Sequence, residues 1–376
     1  MTWTIWMAGF IVLLTIAALL KRIETRLVLF VAGLVKPLGR LGIFLLPFCM
    51  LIASCVAIAI PSAAGCAAAL GPTMIPLMVR AGFKPAIAGA AIIGSIIPSS
   101  LSPGSSHNVW VAKISNMEVM DLIVEFAPKI LTLCALNILL VTAMVFVFRD
   151  YKKAKPGEEG ESLEVASDAR GELPERPNIL MALAPVLPII ILFLGATVLP
   201  IFKMSIAEAM IYGVIFTFLV SRADPQQVTK EFFNGMGKGY ANIMGIIIAA
   251  GCFAGGLRAA GVIDALIETL KNSREIAGYA ANFGPFLMGV LTGSGDAAGH
   301  AFNQAVTPYA AEFGMQIPNL GIVAALSGAL GRMCSPIAGA TLVIAGMIKA
   351  SPLEVSKRMA IPMIINVILL GFIFDL

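Results

Sequence analysis

The sequence predicts an all-α fold: a polytopic membrane protein with two inverted-topology repeats, re-entrant hairpins and broken transmembrane helices. Composition is the first reason. The 376 residues are 59% hydrophobic and 13% charged, against about 25% charged in an ordinary soluble domain. The second reason is a pattern that occurs twice. Residues 42–128 run from an apolar stretch through Pro61-Ser62-Ala63-Ala64-Gly65, Pro76, Gly82, Pro85 and Ser102-Pro103 to Glu118. Residues 277–362 run through Gly295-Asp296-Ala297-Ala298-Gly299, Pro308, Gly314, Pro318 and Ser335-Pro336 to Glu354. The offset between the copies stays between 232 and 236 residues. The third reason is the placement of lysine and arginine, which sets orientation in a bilayer.

Lipid offers no water to the backbone, so spans are helices or a closed barrel. Runs such as 179–201 and 362–374 lack period-two alternation, which excludes a barrel. In chain order the candidate spans are 3–20, 42–60, 86–98, 127–148, 179–201, 205–221, 239–259, 279–293, 319–331, 338–349 and 359–375. The first is followed by Lys21 and Arg22. A signal peptide carries its positive charge before the apolar stretch, so 3–20 reads as a membrane helix. Several spans fall short of the roughly 20 residues of a full crossing. The short ones cluster at the repeated breaks. That predicts re-entrant hairpins and helices interrupted at mid-depth, where protein packing or a cavity tolerates them.

Residues 1–148 form the first membrane repeat, 149–178 a charged cytoplasmic linker and 179–376 the second membrane repeat. The linker holds Arg149, Lys152, Lys153, Lys155, Arg170 and Arg176 among glutamates. Lys21, Arg22 and Arg26 form a second basic turn, and Arg222, Lys230 and Lys238 a third. With all three in the cytoplasm, helix 3–20 runs inward and helix 179–201 runs outward. The halves are then inverted with respect to each other, as in alternating-access carriers with a site at the repeat interface. The first copy is shorter. A counterpart of roughly 213–269 is missing at about residue 34, which marks the Leu34–Val35 junction as a lost segment or a gap relative to a longer protein.

Two pairs of breaks carry the candidate site residues. One pair comprises Ser102, Pro103, Gly104, Ser105, Ser106, His107 and Asn108, mirrored by Arg332, Ser335, Pro336, Gly339 and Thr341. Unwound backbone and small hydroxyls supply carbonyls for a cation and N–H donors for a carboxylate. The bland reading is a surface loop. The other pair is Ser62, Ala63 and Gly65 with Gly293, Ser294, Gly295 and Asp296, read as hairpin tips. Small residues there allow close approach of backbone to ligand. Asp296 is ionisable within apolar sequence, which marks an ion or substrate path, unless the tip faces water. Arg332 either forks a carboxylate or snorkels to the lipid surface. His107 and His300, the only histidines, either couple protons or make structural hydrogen bonds. Asn108 and Asn303 are polar neighbours of the same standing. Glu118 and Glu354 read as acids at helix N-termini.

Cys49, Cys55, Cys66, Cys134, Cys252 and Cys334 are scattered in apolar surroundings and read as small hydrophobes. Neither a disulfide nor a resident metal is expected. The net charge of +4 comes from loop residues and does not indicate a nucleic-acid surface.

The runs Thr292-Gly293-Ser294-Gly295-Asp296, Leu330-Gly331-Arg332-Met333-Cys334-Ser335-Pro336-Ile337-Ala338-Gly339 and Gly346 to Arg358 resemble the C-terminal half of the anaerobic four-carbon dicarboxylate carriers of the DcuC type. The likeness extends through Val228–Gly261 and, more weakly, through 61–130. Residues 102–108 depart from it, because such carriers commonly show an acidic residue in a Thr-Ser-Gly context there. The resemblance implies membership of the ion transporter superfamily. It further implies two inverted repeats with scaffold and transport parts, a homodimer in the bacterial inner membrane, and an elevator motion. The implied substrates are dicarboxylates or related organic anions, coupled to sodium or protons or exchanged.

The expectation is therefore a secondary carrier of four-carbon dicarboxylates of the succinate, fumarate or malate type. It needs no cofactor beyond a coupling Na+ or H+, and its partners are the anion, the lipid bilayer and a second copy of itself. The alternatives are a carrier of a non-dicarboxylate, amino-acid-derived anion, a channel, and an intramembrane serine hydrolase pairing Ser294 with His107 or His300.

Overall fold

The structure is a computed structural model. It describes residues 39–60, 62–152, 187–197, 204–221, 224–239, 248, 252, 255–257, 259–261 and 274–374. The expected helix 3–20, the Leu34–Val35 junction, nearly all of the linker and most of the expected span 239–259 lie outside them.

The described residues are helical. A 3-10 helix at Gly39–Phe44 leads into α1 (Leu45–Ala59), followed by α2 (Ala63–Arg80), α3 (Pro85–Gly94), a 3-10 turn (Ile97–Leu101), α4 (Ser106–Ile114) and α5 (Val119–Val147). Next come α6 (Leu187–Thr197), α7 (Ile206–Ser221) and α8 (Pro225–Gly239). The C-terminal part holds α9 (Arg274–Thr292), α10 (Gly295–Ala305), a 3-10 turn (Thr307–Phe313), α11 (Ile317–Met333), α12 (Gly339–Ile348) and α13 (Pro352–Ile373). Four stretches among the described residues are long and apolar enough to cross a membrane: Gly42–Ala59, Pro85–Ile114, Val119–Val147 and Pro352–Ile373. A fifth, the α2 pair Ala63–Pro72 and Met74–Arg80, is bent by 48°. Pro72 and Pro76 inside the helix remove backbone donors and account for the bend.

Some boundaries differ from the sequence reading. α5 and α13 start earlier than residues 127 and 359. Their first two turns carry Asp121 and Glu125 in α5 and Glu354, Lys357 and Arg358 in α13, which interrupt the apolar run. Lys357 and Arg358 both pair with Glu354, at 3.1 and 2.9 Å, along one helix face, and Arg358 also pairs with Asp150. Ser62–Gly65 opens an 18-residue helix, α2, that the sequence reading did not include among its spans.

The breaks recur in detail. Ser62 caps α2, its hydroxyl accepting from Gly65 N at 3.2 Å, and Ser294 caps α10, accepting from Ala297 N at 3.2 Å. These serines are 232 residues apart. The capping oxygen fixes where each helix begins. It therefore registers Ser62 with Ser294, two residues away from the letter match of Gly65 with Gly299. Downstream, Phe83 N donates to Met78 O and Met315 N to Ala310 O. Asn116 and Lys349 both hold left-handed backbone, with φ 54° and 51°. Each is followed by a matching closure, Met117 N to Ala112 O and Ala350 N to Ala345 O.

The chain divides into two compact units. Unit 1 contains α1, α2, α3, α6, α7, α12, α5 from Cys134 and α13 to Pro362. Unit 2 contains α4, α8, α9, α10, α11, α5 to Leu133 and α13 from Met363. Each unit thus takes one short helix from the other half of the sequence: α12 packs on α2 and α3, and α4 packs on α10 and α11. Glycine makes both contacts close. A Cβ at Gly321 would stand 2.9 Å from Val111, and one at Gly89 would collide with Ile344. In unit 1, Asn137 Nδ2 donates to Gly94 O at 2.7 Å. In unit 2, Asn282 Nδ2 donates to Val367 O at 2.6 Å, and the backbone carbonyl of Asn282 accepts from Ser327 Oγ. These buried amides satisfy backbone groups inside apolar packing, where an unmet group costs about 1–3 kcal/mol.

Candidate functional site in unit 2

The expected site residues fall into both units. Ser62, Ala63, Gly65, Ser102, Gly339 and Thr341 belong to unit 1. Pro103, Gly104, Ser105, Ser106, His107, Asn108, Gly293, Ser294, Gly295, Asp296, Asn303, Arg332, Ser335 and Pro336 belong to unit 2.

Unit 2 brings its charged members together. α9 ends at Thr292, and Gly293 turns the chain with φ 70°, a left-handed conformation that favours glycine. A Cβ there would also press on the backbone of Ile337 and Ala338 at 3.0 Å. The cap by Ser294 then starts α10 and places Asp296 in its first turn, where the helix dipole favours an anion. Gly295 and Gly328 bring α10 onto α11, since a Cβ on either would lie 2.6 Å from the carbonyl oxygen of the other. That approach delivers Arg332, in the last turn of α11, to the carboxylate.

Asp296 is shared. Its Oδ1 accepts from His107 Nε2 at 3.1 Å and its Oδ2 from Arg332 Nη1 at 3.4 Å. The Asp296 side chain is 45% exposed, Arg332 14% and His107 10%. The carboxylate is therefore reachable from outside the unit, while the two groups that hold it are largely enclosed. His107 stacks on His300 with ring centroids 4.3 Å apart and planes 17° apart. His300 Nε2 shares a hydrogen bond of 3.1 Å with Ser106 Oγ, and Trp110 meets its ring edge-on at 6.5 Å. Nδ1 of each histidine is buried without a partner. Two imidazolium charges this close would repel by about 4 kcal/mol at an effective dielectric of 20. Gly299 makes room for the stack: a Cβ there would stand 2.8 Å from His107 Cε1.

Other expected residues have structural tasks. Asn303 is fully buried; its Nδ2 donates to Gly321 O at 3.1 Å and its Oδ1 accepts from Thr307 at 2.8 Å, which ties α10 to α11. Ser294 caps its helix, so its hydroxyl is not paired with a histidine as the hydrolase reading requires. Asn108 and Ser335 are buried in unit 2, and Pro103, Gly104, Ser105 and Pro336 line the chain at the two breaks. His300 joins the site through its stack on His107, which comes from the packing of α4 on α10 and which no local pattern in either segment announces.

Among the described residues, the matching positions of unit 1 carry no charge. In the register set by the caps and the left-handed residues, Asp296 corresponds to Ala64, His300 to Ala68, His107 to Ala340 and Arg332 to Ser99. Ala63 and Thr341 are buried there, while Ser62 is exposed. A Cβ at Gly339 would have Ala64 as its neighbour, at 3.9 Å. Similar local frames therefore carry charge in one unit and small neutral groups in the other.

The family model for DcuC, the C4-dicarboxylate anaerobic carrier, matches residues 11–374. The chain belongs to the DcuC family. Among DcuC relatives, the anaerobic C4-dicarboxylate transporter DcuC of Escherichia coli (strain K12) is 30% identical over 330 residues, 85% of this chain and 69% of that protein. An uncharacterized transporter of Haemophilus influenzae is 44% identical over 279 residues, 72% of this chain and 98% of the relative. Together with the apolar helices, membership of the DcuC family makes this a multi-pass membrane protein.

Proposed function

We propose that the protein is a secondary active carrier of four-carbon dicarboxylates in the bacterial inner membrane, working by alternating access of the elevator type as a homodimer. The observation that carries this reading is the Arg332–Asp296–His107 cluster in a chain of the DcuC family. A guanidinium beside a reachable carboxylate is a place where a substrate carboxylate exchanges for an internal one. The named relative from Escherichia coli is a C4-dicarboxylate transporter, which supports the substrate class.

Charge balance supports coupling to a cation. A dianion in a low-dielectric site needs compensation, and the charge of Arg332 is already met by Asp296. A co-transported Na+ or H+ satisfies this requirement; exchange of one dianion for another balances charge across the membrane but not within the site.

One observation favours a second substrate class. Asp296 beside Arg332 presents both charges of a zwitterion's complement, which suits an amino-acid-derived anion such as aspartate. Uptake of labelled succinate and, separately, of labelled aspartate into vesicles, each challenged with unlabelled fumarate, malate and a monocarboxylate, tests both. Inhibition by the dicarboxylates and not by the monocarboxylate supports the main reading. Saturable uptake of aspartate without uptake of succinate supports the second, and no saturable uptake of either contradicts both.

A further inference from the structure

We propose that Asp296 is an internal stand-in for the substrate carboxylate on Arg332, and that its release to His107 takes up one proton with each dicarboxylate bound. The inference rests on the carrier reading above and goes further by assigning the coupling ion and the residues that exchange.

The bond between Arg332 and Asp296 has the features of a bond meant to be replaced. At 3.4 Å it is longer than the usual 2.7–2.9 Å of an ionised pair. It uses a single guanidinium nitrogen, Nη1, and the carboxylate it engages is 45% exposed. An incoming carboxylate with two-bond geometry competes well against it. Asp296 is not stranded when displaced, because its other oxygen is already held by His107.

The tautomer then locates the proton. With Nε2–H donating to Asp296, neutral His107 has its lone pair at Nδ1, and that atom is buried without a partner. Before substrate arrives, Asp296 and Arg332 cancel. A bound dianion takes over Arg332 and leaves Asp296 uncompensated, and a proton on His107 restores its counter-charge. The stack on His300 opposes uptake of a second proton.

The groups facing His107 are few. α10 contributes Asp296 and His300, α11 contributes Arg332, and α4 itself carries Lys113 one and a half turns further on. Of these, only Asp296 bonds to the His107 ring.

Calorimetry on the purified full chain tests this. Succinate is titrated at neutral pH in buffers of different ionisation enthalpy, and the slope of heat against that enthalpy counts protons taken up. The expected slope is one proton per succinate for the unaltered protein and none for Asp296→Asn, which also binds succinate more tightly because Arg332 is no longer occupied. Succinate binding with no proton uptake by the unaltered protein overturns the proposal without touching the carrier reading. So does an Asp296→Asn protein that still takes up one proton. Absence of binding by succinate, fumarate and malate alike overturns the carrier reading, and this proposal with it.

Discussion

Arg358 on α13 grips Asp150, which follows α5 in the chain, across 208 residues of sequence, with Nη2 3.1 Å from Oδ1 and Nε on the other oxygen. Asp150 is fully buried, Lys84 approaches it at 3.1 Å, and the Phe148 ring lies 5.1 Å from the guanidinium. This knot joins the end of α5, the entry to α3 and the start of α13 within unit 1.

Removing one partner of a buried pair leaves an unmet charge, at about 3–5 kcal/mol. Arg358→Ala is therefore expected to lower the melting temperature of the purified protein sharply. Lys84 is 58% exposed, and Lys84→Ala should cost no more than about 1 kcal/mol. Equal losses from the two substitutions would contradict the geometry.

Ser294→Ala and Ser62→Ala each remove a helix cap, for about 1 kcal/mol. Both should lower thermal stability by similar amounts, because the two caps have the same 3.2 Å geometry. A large fall in transport turnover with Ser294→Ala at unchanged stability would instead give that hydroxyl a role in transport beyond capping.

Gly299→Ala places a methyl against the His107 ring, 2.8 Å from Cε1. The ring must move off Asp296, so uptake of labelled succinate should fall several-fold. Gly346→Ala in α12 is the control, since nothing lies within 4 Å of its Cβ position. That helix-interior change should be neutral in transport and stabilising by about 0.5–1 kcal/mol.

Much of this was legible in the sequence, and the limits are physical. Breakers at a constant offset revealed where helices stop, because glycine, proline and capping serine act locally. Letter matching misregistered the first break by two residues, since Gly65 and Gly299 look alike while the capping oxygens of Ser62 and Ser294 decide the helix start. The packing of α4 on α10 and α11, and of α12 on α2 and α3, was not legible. It depends on close approaches at Gly321 and Gly89 that tertiary packing alone reveals. Sequence alone puts Asp150 in an aqueous linker, because its partner Arg358 lies 208 residues away. Asp296 and Arg332 were each named as candidates, but not as a pair. Their meeting follows from the Gly295–Gly328 contact between α10 and α11.

Arg332→Lys keeps the charge and loses the fork. A charge-assisted hydrogen bond contributes about 1.5–3 kcal/mol, so the apparent KM for succinate should rise about tenfold or more. Rescue of normal KM by lysine would mean that Arg332 acts only as a point charge.

The most direct measurement is counterflow in proteoliposomes. Vesicles loaded with unlabelled succinate are diluted into a trace of labelled succinate. The protein should produce a transient, saturable overshoot of internal label, suppressed by external fumarate and reduced in Arg332→Lys at low substrate. A reconstituted, folded protein that gives no overshoot with succinate, fumarate or malate would contradict the assignment as a four-carbon dicarboxylate carrier.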